Sequence, residues 1–161
     1  MRQYFLTLCV HMRRPVFTSA DTVSPALGQF RHSAERYGFA QLPYCFMPDH
    51  LHLLSEARTV ESDLVRFVHD AKQRTGYAFK RRTGERLWQP GFYDHVLRDE
   101  DDVVAVVRYI VTNPVRAGLA REIGEYPFCG SDVFSMDEIR ACSEMWDPGS
   151  QRKTKRRARQ P

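Results

Sequence analysis

The sequence predicts an α+β domain in which helices pack on one face of an antiparallel β-sheet. Apolar runs of strand length interleave with stretches of helical period, in the order strand, helix, strand, strand, helix, strand, helix. The two middle strand runs are separated only by Met47-Pro48-Asp49, a turn signal that makes them a hairpin. At 161 residues and 42% hydrophobic content, the chain can bury one core without help from disulfides.

Taken in order, Tyr4 to Val10 is aromatic and β-branched enough for a first, largely buried strand, and Met12 to Thr18, with Pro15 inside it, reads as a loop. Ala26, Leu27, Phe30, Ala34 and Tyr37 recur at helical spacing; Pro25 sets the expected helix start near Ser24, and Gly38 stops it. Phe39 to Phe46 and His50 to Glu56 are the hairpin strands. Val60, Leu64, Phe67, Val68, Ala71 and Tyr77 give a second helix ending near Tyr77, with a turn at 82–85. Phe92 to Leu97 is the next strand. The acidic run 99–102 suits a helix N-terminus, where the dipole is positive, and Val103 to Asn113 follows with one apolar stripe before Pro114 ends or kinks it. Residues 124–131 read as irregular and Met136 to Met145 as a short helix. The expected organisation is one domain over 1–146 and a basic, disordered tail over 147–161.

Charge sharpens this when it is placed. The last ten residues hold six of the 24 basic side chains and no acid, leaving 18 basic against 20 acidic in the rest, so the tail makes the net +4. A second cluster, Lys72, Arg74, Lys80, Arg81, Arg82 and Arg86, lies mid-chain. Two basic patches on a nearly neutral body suit a polyanion; a solvated face and a terminus without structure is the plainer alternative. The four cysteines are scattered with no C-x-x-C pair, which suits reduced packing residues and argues against a zinc ribbon. No apolar run nears the roughly 20 residues of a membrane span, and the first residues do not make a signal peptide, so a cytoplasmic protein without a membrane partner is expected.

The chemistry starts at Met47-Pro48-Asp49-His50-Leu51-His52-Leu53-Leu54. Alternation in a strand sends His50 and His52 out of one face, half of a metal site, although a structural histidine pair fits that spacing equally well. Tyr109 and Asn113, four apart, share a face of the last long helix and would add a hydroxyl and an amide oxygen. Two imidazoles, one carbonyl oxygen and a tyrosine suit phosphoryl transfer, with a divalent ion polarising a phosphodiester that the tyrosine oxygen attacks. Mixed nitrogen and oxygen ligands admit Mg2+ or Mn2+, and chemistry alone leaves zinc open. A histidine-triad hydrolase needs a third alternating histidine at position 54, where leucine stands.

Met-Pro-Asp-His50-Leu-His52-Leu-Leu, Trp88 to Arg98, and Arg108-Tyr109-Ile-Val-Thr-Asn113-Pro-Val-Arg-Ala-Gly-Leu119 together resemble the REP-associated tyrosine transposases, IS200-like members of the single-tyrosine HUH transposase superfamily. The resemblance covers most of residues 4 to 119, in motif order and spacing. It implies a ferredoxin-like sheet, His50, His52 and Asn113 as metal ligands, and Tyr109 as the nucleophile that joins the 5′ phosphate of cleaved single-stranded DNA. It implies short palindromes folded as hairpins for substrate, and a bacterial cytoplasmic protein that associates with the nucleoid when DNA-bound. It leans to a monomer, with a homodimer as the alternative. Lys80, Arg81, Arg82, Arg108, Arg116, Arg156 and Arg157 are the candidate phosphate contacts and His95 an auxiliary residue; Trp88 and Tyr93 suit core packing better than base stacking. A hairpin-binding module without cleavage is the alternative function. Residues 11–25 and 128–145 carry no assigned role.

Overall fold

The computed structural model describes residues 1–97 and 100–145. Five strands, β1 (Gln3–Cys9), β2 (Phe39–Met47), β3 (His50–Ala57), β4 (Tyr93–Leu97) and β5 (Cys129–Gly130), form one antiparallel sheet in the order β4-β1-β3-β2-β5. Helices α1 (Ala20–Arg36) and α2 (Leu64–Thr83) join β1 to β2 and β3 to β4, so the first six elements make the ferredoxin-like unit. Then come α3 (Glu100–Arg116) and α4 (Met136–Met145).

The α+β class and the antiparallel sheet are as expected, but helices cover both faces of the sheet rather than one. Leu6, Leu8, Val10, Phe46, Leu51 and Leu53 meet α1 and α2 through Val23, Phe30, Phe67 and Val68. The alternate positions Cys45, Met47 and Leu54 meet α3 through Val107, Ile110 and Val111, and α4 through Ile139. The reason lies in β3, whose Leu51 to Leu54 are all buried, so neither side of the strand tolerates water. Each fully buried Leu, Ile or Phe here is worth roughly 1.5–3 kcal/mol. In β2 the register shifts between Gln41 and Tyr44, at Pro43, which has no N–H for the ladder. That bulge reverses the alternation, putting Phe39 and Phe46 on one side and Leu42 and Met47 on the other.

Helix boundaries correct the sequence reading in three places. α1 begins at Ala20, not Ser24, and carries Pro25 inside it. Proline takes away the N–H owed to the Asp21 carbonyl, and Arg82 Nη1 donates to that oxygen instead at 3.0 Å. α2 begins after Asp63, whose side chain accepts from the Arg66 N–H, and runs past Tyr77 to Gly84, the left-handed cap at φ 77°. Val60 is fully exposed ahead of it. α3 continues through Pro114 to Arg116. Residues 129–130, read as irregular, pair with β2 as Cys45↔Cys129 and Tyr44↔Gly130. All four cysteines are free. No helix among the described residues is long and apolar enough to cross a membrane. The expected disordered tail over 147–161, with Arg156 and Arg157, lies outside the described residues.

Candidate active site

Strand β3 opens from the Pro48-Asp49 turn, which the chain ties down by Val10 N–H donating to the Asp49 carbonyl and Val16 and Phe17 N–H donating to that of Pro48. Alternation then sends His50 and His52 to the α3 face while Leu51 and Leu53 enter the α1/α2 core. The two imidazoles meet with Nε2 to Nε2 at 3.0 Å.

Each ring is oriented from behind. His50 Nδ1 lies 2.6 Å from Asp49 Oδ1, and Asp49 Oδ2 lies 2.9 Å from Arg13 Nε. A carboxylate only accepts, so Nδ1 of His50 donates, and in the neutral ring the lone pair sits on Nε2. His52 Nδ1 is 3.0 Å from Thr7 Oγ1; with the hydroxyl accepting, His52 also presents its Nε2 lone pair. Met12 and Arg13 take left-handed φ of 57° and 55°, a conformation costly for side-chain-bearing residues, and Arg13 there reaches both Asp49 and Cys9 Sγ.

Over this pair lies Tyr109 of α3. Its ring stands 5.3 Å from that of His52 and 5.8 Å from that of Phe5, which itself stacks on His52 at 5.4 Å. The Arg116 guanidinium, one helical face along, sits 5.5 Å from the Tyr109 centroid. Tyr109 remains 39% exposed, so a substrate can reach a ring that packing has fixed.

Burial, then the neighbouring His50 and Arg13, push His52 down to about 3, against a raising influence from Asp49. His52 is therefore neutral at physiological pH, as a ligand must be. Between about 3 and the ordinary 6.5 the unfolded chain binds the extra proton, so stability rises with pH across that window and is lost as pH falls through it. Lowering metal-free protein from pH 7 to pH 5 should cost about 2 kcal/mol through this group. Urea titrations at the two pH values check it against His52→Gln, which should lack that share; equal losses in both proteins would refute the assignment.

The pair would suit a divalent ion, since the two Nε2 atoms face each other at 3.0 Å while both Nδ1 atoms are engaged behind them. Among the described residues no third His, Cys, Asp or Glu joins them. Asn113 donates from Nδ2 to the Tyr109 carbonyl at 2.9 Å, and no hydrogen bond joins it to either imidazole.

The structure thus gathers His50, His52 and Tyr109, with Asn113 one turn beyond. Arg108 and Arg116 share α3 with Tyr109, whereas Lys80, Arg81 and Arg82 lie at the far end of α2 behind the sheet. Arg81 stands over Tyr77, and Arg82 over Phe79 while it holds the Asp21 carbonyl. His95 pairs with Phe5 on edge strand β4 and so shares the site's face, exposed and without a hydrogen bond. Tyr93, opposite Thr7, is 63% exposed on that face rather than packed in the core. Trp88 is buried as expected, its indole N–H donating to Thr75 Oγ1. Sequence reasoning missed Thr7, Arg13 and Asp49; only Asp49, directly before His50, stood in a motif that could have flagged it.

The chain whose ferredoxin-like sheet carries this tyrosine over paired histidines belongs to the family described as Transposase IS200 like, whose model matches residues 2–113. It is similar to a Haemophilus influenzae protein provisionally named a REP-associated tyrosine transposase, at 24% identity over 136 residues that cover 78% of this chain and 77% of that one. It is 27% identical over 82 residues to the REP-associated tyrosine transposase of Escherichia coli, covering 51% of this chain and 48% of the relative. A solved REP-associated tyrosine transposase bound to a REP hairpin superposes with a TM-score of 0.68 over 79% of this chain and 74% of that one; at 22% identity the likeness is one of fold.

Proposed function

We propose that this transposase is a metal-dependent endonuclease and strand transferase for single-stranded, hairpin-forming palindromic DNA, working through a 5′-phosphotyrosine bond at Tyr109. The observation that carries it is the Tyr109 ring packed on His52, whose Nε2 faces that of His50. The substrate class is supported by the similar fold solved with a REP hairpin.

His50 and His52 would hold Mg2+ or Mn2+ through Nε2, and Asn113 through Oδ1, the end of its amide left free by the Nδ2 bond to Tyr109. When bound, the ion neutralises and polarises the phosphodiester. Tyr109 Oη attacks phosphorus; the Oη–P bond forms, the P–O3′ bond breaks, the phenolic proton leaves to water and the departing 3′ oxygen takes one up. Arg116 places positive charge beside the ring where the phosphate has to sit. Joining is the reverse attack, by a new 3′ hydroxyl on the phosphotyrosine. That Tyr109 packs on a histidine of its own chain supports a monomer. Such a protein works in the bacterial cytoplasm, on the nucleoid when DNA-bound.

End-labelled hairpin DNA incubated with the protein and Mn2+ should give a labelled species that survives a denaturing gel and disappears with chelator. Salt-sensitive retention of the hairpin with no such species would make the protein a binding module.

Asp49→Asn tests the support behind His50. It keeps the shape, removes the charge that fixes the ring, and should weaken Mn2+ binding by about 10- to 100-fold in calorimetry. Unchanged affinity would show that Asp49 serves only the Arg13 turn.

A further inference from the structure

Behind the sheet, away from Tyr109, a cleft of about 690 Å³ runs between α2 and the segment that leads into β4, of the size that small ligands occupy. One stripe of the helix lines it, with His69, Lys72, Gln73, Gly76 and Lys80, and Arg86 and Phe92 face them. No Asp or Glu contributes to the lining. Lys72 spans the cleft, its Nζ donating to the carbonyls of Gln89 and Gly91. It is half-buried with no carboxylate beside it, and burial followed by Arg86 holds it below the ordinary lysine range, so an anion there would relieve it. Among the described residues, Lys80 and Arg86 have no side-chain hydrogen bond or ion pair of their own. Gly76 sits mid-helix, where glycine costs stability, although a methyl would meet Trp88 only at an ordinary 3.8 Å; packing does not require it, and it keeps the floor low. Phe92 is half-buried at the edge, with a ring to offer.

We infer that this cleft binds one nucleotide of the DNA strand, its phosphate among Lys72, Lys80 and Arg86 and its base against Phe92. The inference rests on DNA being the ligand proposed above, and it adds a grip on the opposite side of the sheet from the reacting tyrosine. A strand held there is anchored independently of chemistry, so cleavage can proceed without the protein losing its DNA.

The two halves of the site have different signatures. With a fluorescein-labelled DNA hairpin carrying single-stranded extensions, Lys80→Ala/Arg86→Ala should lower the slope of log affinity against log salt by about 0.7, one phosphate's share. Phe92→Leu, which keeps an apolar side chain and loses the ring face, should weaken binding about 5- to 100-fold with the slope unchanged. Gln73→Glu, an exposed and nearly isosteric change, should weaken binding by placing a carboxylate in the cleft. Melting temperatures of the Lys80→Ala/Arg86→Ala and Gln73→Glu proteins should stay at the unsubstituted value. An unchanged salt slope in the double variant, or unchanged affinity in Phe92→Leu, overturns the inference. Neither outcome touches Tyr109, and a protein that forms no adduct still reports binding in the cleft.

Discussion

Tyr109→Phe is expected to bind hairpin DNA with unchanged affinity and to lose covalent adduct and strand cleavage by at least about 1,000-fold. The substitution is mild for the fold. The contacts that fix residue 109 are ring contacts, with Phe5, His52 and the Arg116 guanidinium, and phenylalanine keeps them all. What goes is the oxygen that the proposed mechanism joins to phosphorus. Parallel anisotropy and denaturing-gel measurements check this. Cleavage surviving in the phenylalanine protein would move the nucleophile elsewhere.

His50→Ala is expected to abolish metal-dependent cleavage and to weaken Mn2+ binding at least about 100-fold while leaving the chain folded. Its side chain is 14% exposed at the mouth of β3, and its partner Asp49 keeps the Arg13 ion pair when the ring is gone. His52→Ala should remove activity too, but it deletes a ring 4% exposed between Phe5 and Tyr109 and should cost a further ~2 kcal/mol or more of stability. Calorimetry with Mn2+ and urea unfolding separate the two effects. Full Mn2+ affinity in His50→Ala would remove the paired imidazoles from the metal site.

The elements that sequence patterning placed are those whose signal is local. The hairpin at Met47-Pro48-Asp49 and the helical stripe through Tyr109 follow from spacing within a dozen residues. Features set by distant partners were not legible. Pro25 lies inside α1 because Arg82, far along the chain, satisfies the carbonyl that proline orphans. The face that α3 covers depends on β3 being buried on both sides, which a continuous apolar run permits but does not specify. In the site, the histidine pair and the tyrosine stood in motifs, whereas Thr7 reaches His52 only through the β1–β3 register and Arg13 reaches Asp49 only through two left-handed residues. Tyr93 reads as a core aromatic by composition; it is exposed because β4 is an edge strand, with α3 covering only its Leu97 end.

The most direct test of the central claim is to trap the covalent species with a hairpin oligonucleotide and Mn2+, digest it, and locate the nucleotide by peptide mass spectrometry. The account predicts one modified peptide, carrying a 5′-phosphate-linked nucleotide on Tyr109. A nucleotide on any other residue, or a cleaved oligonucleotide with no modified peptide at any time, would contradict it.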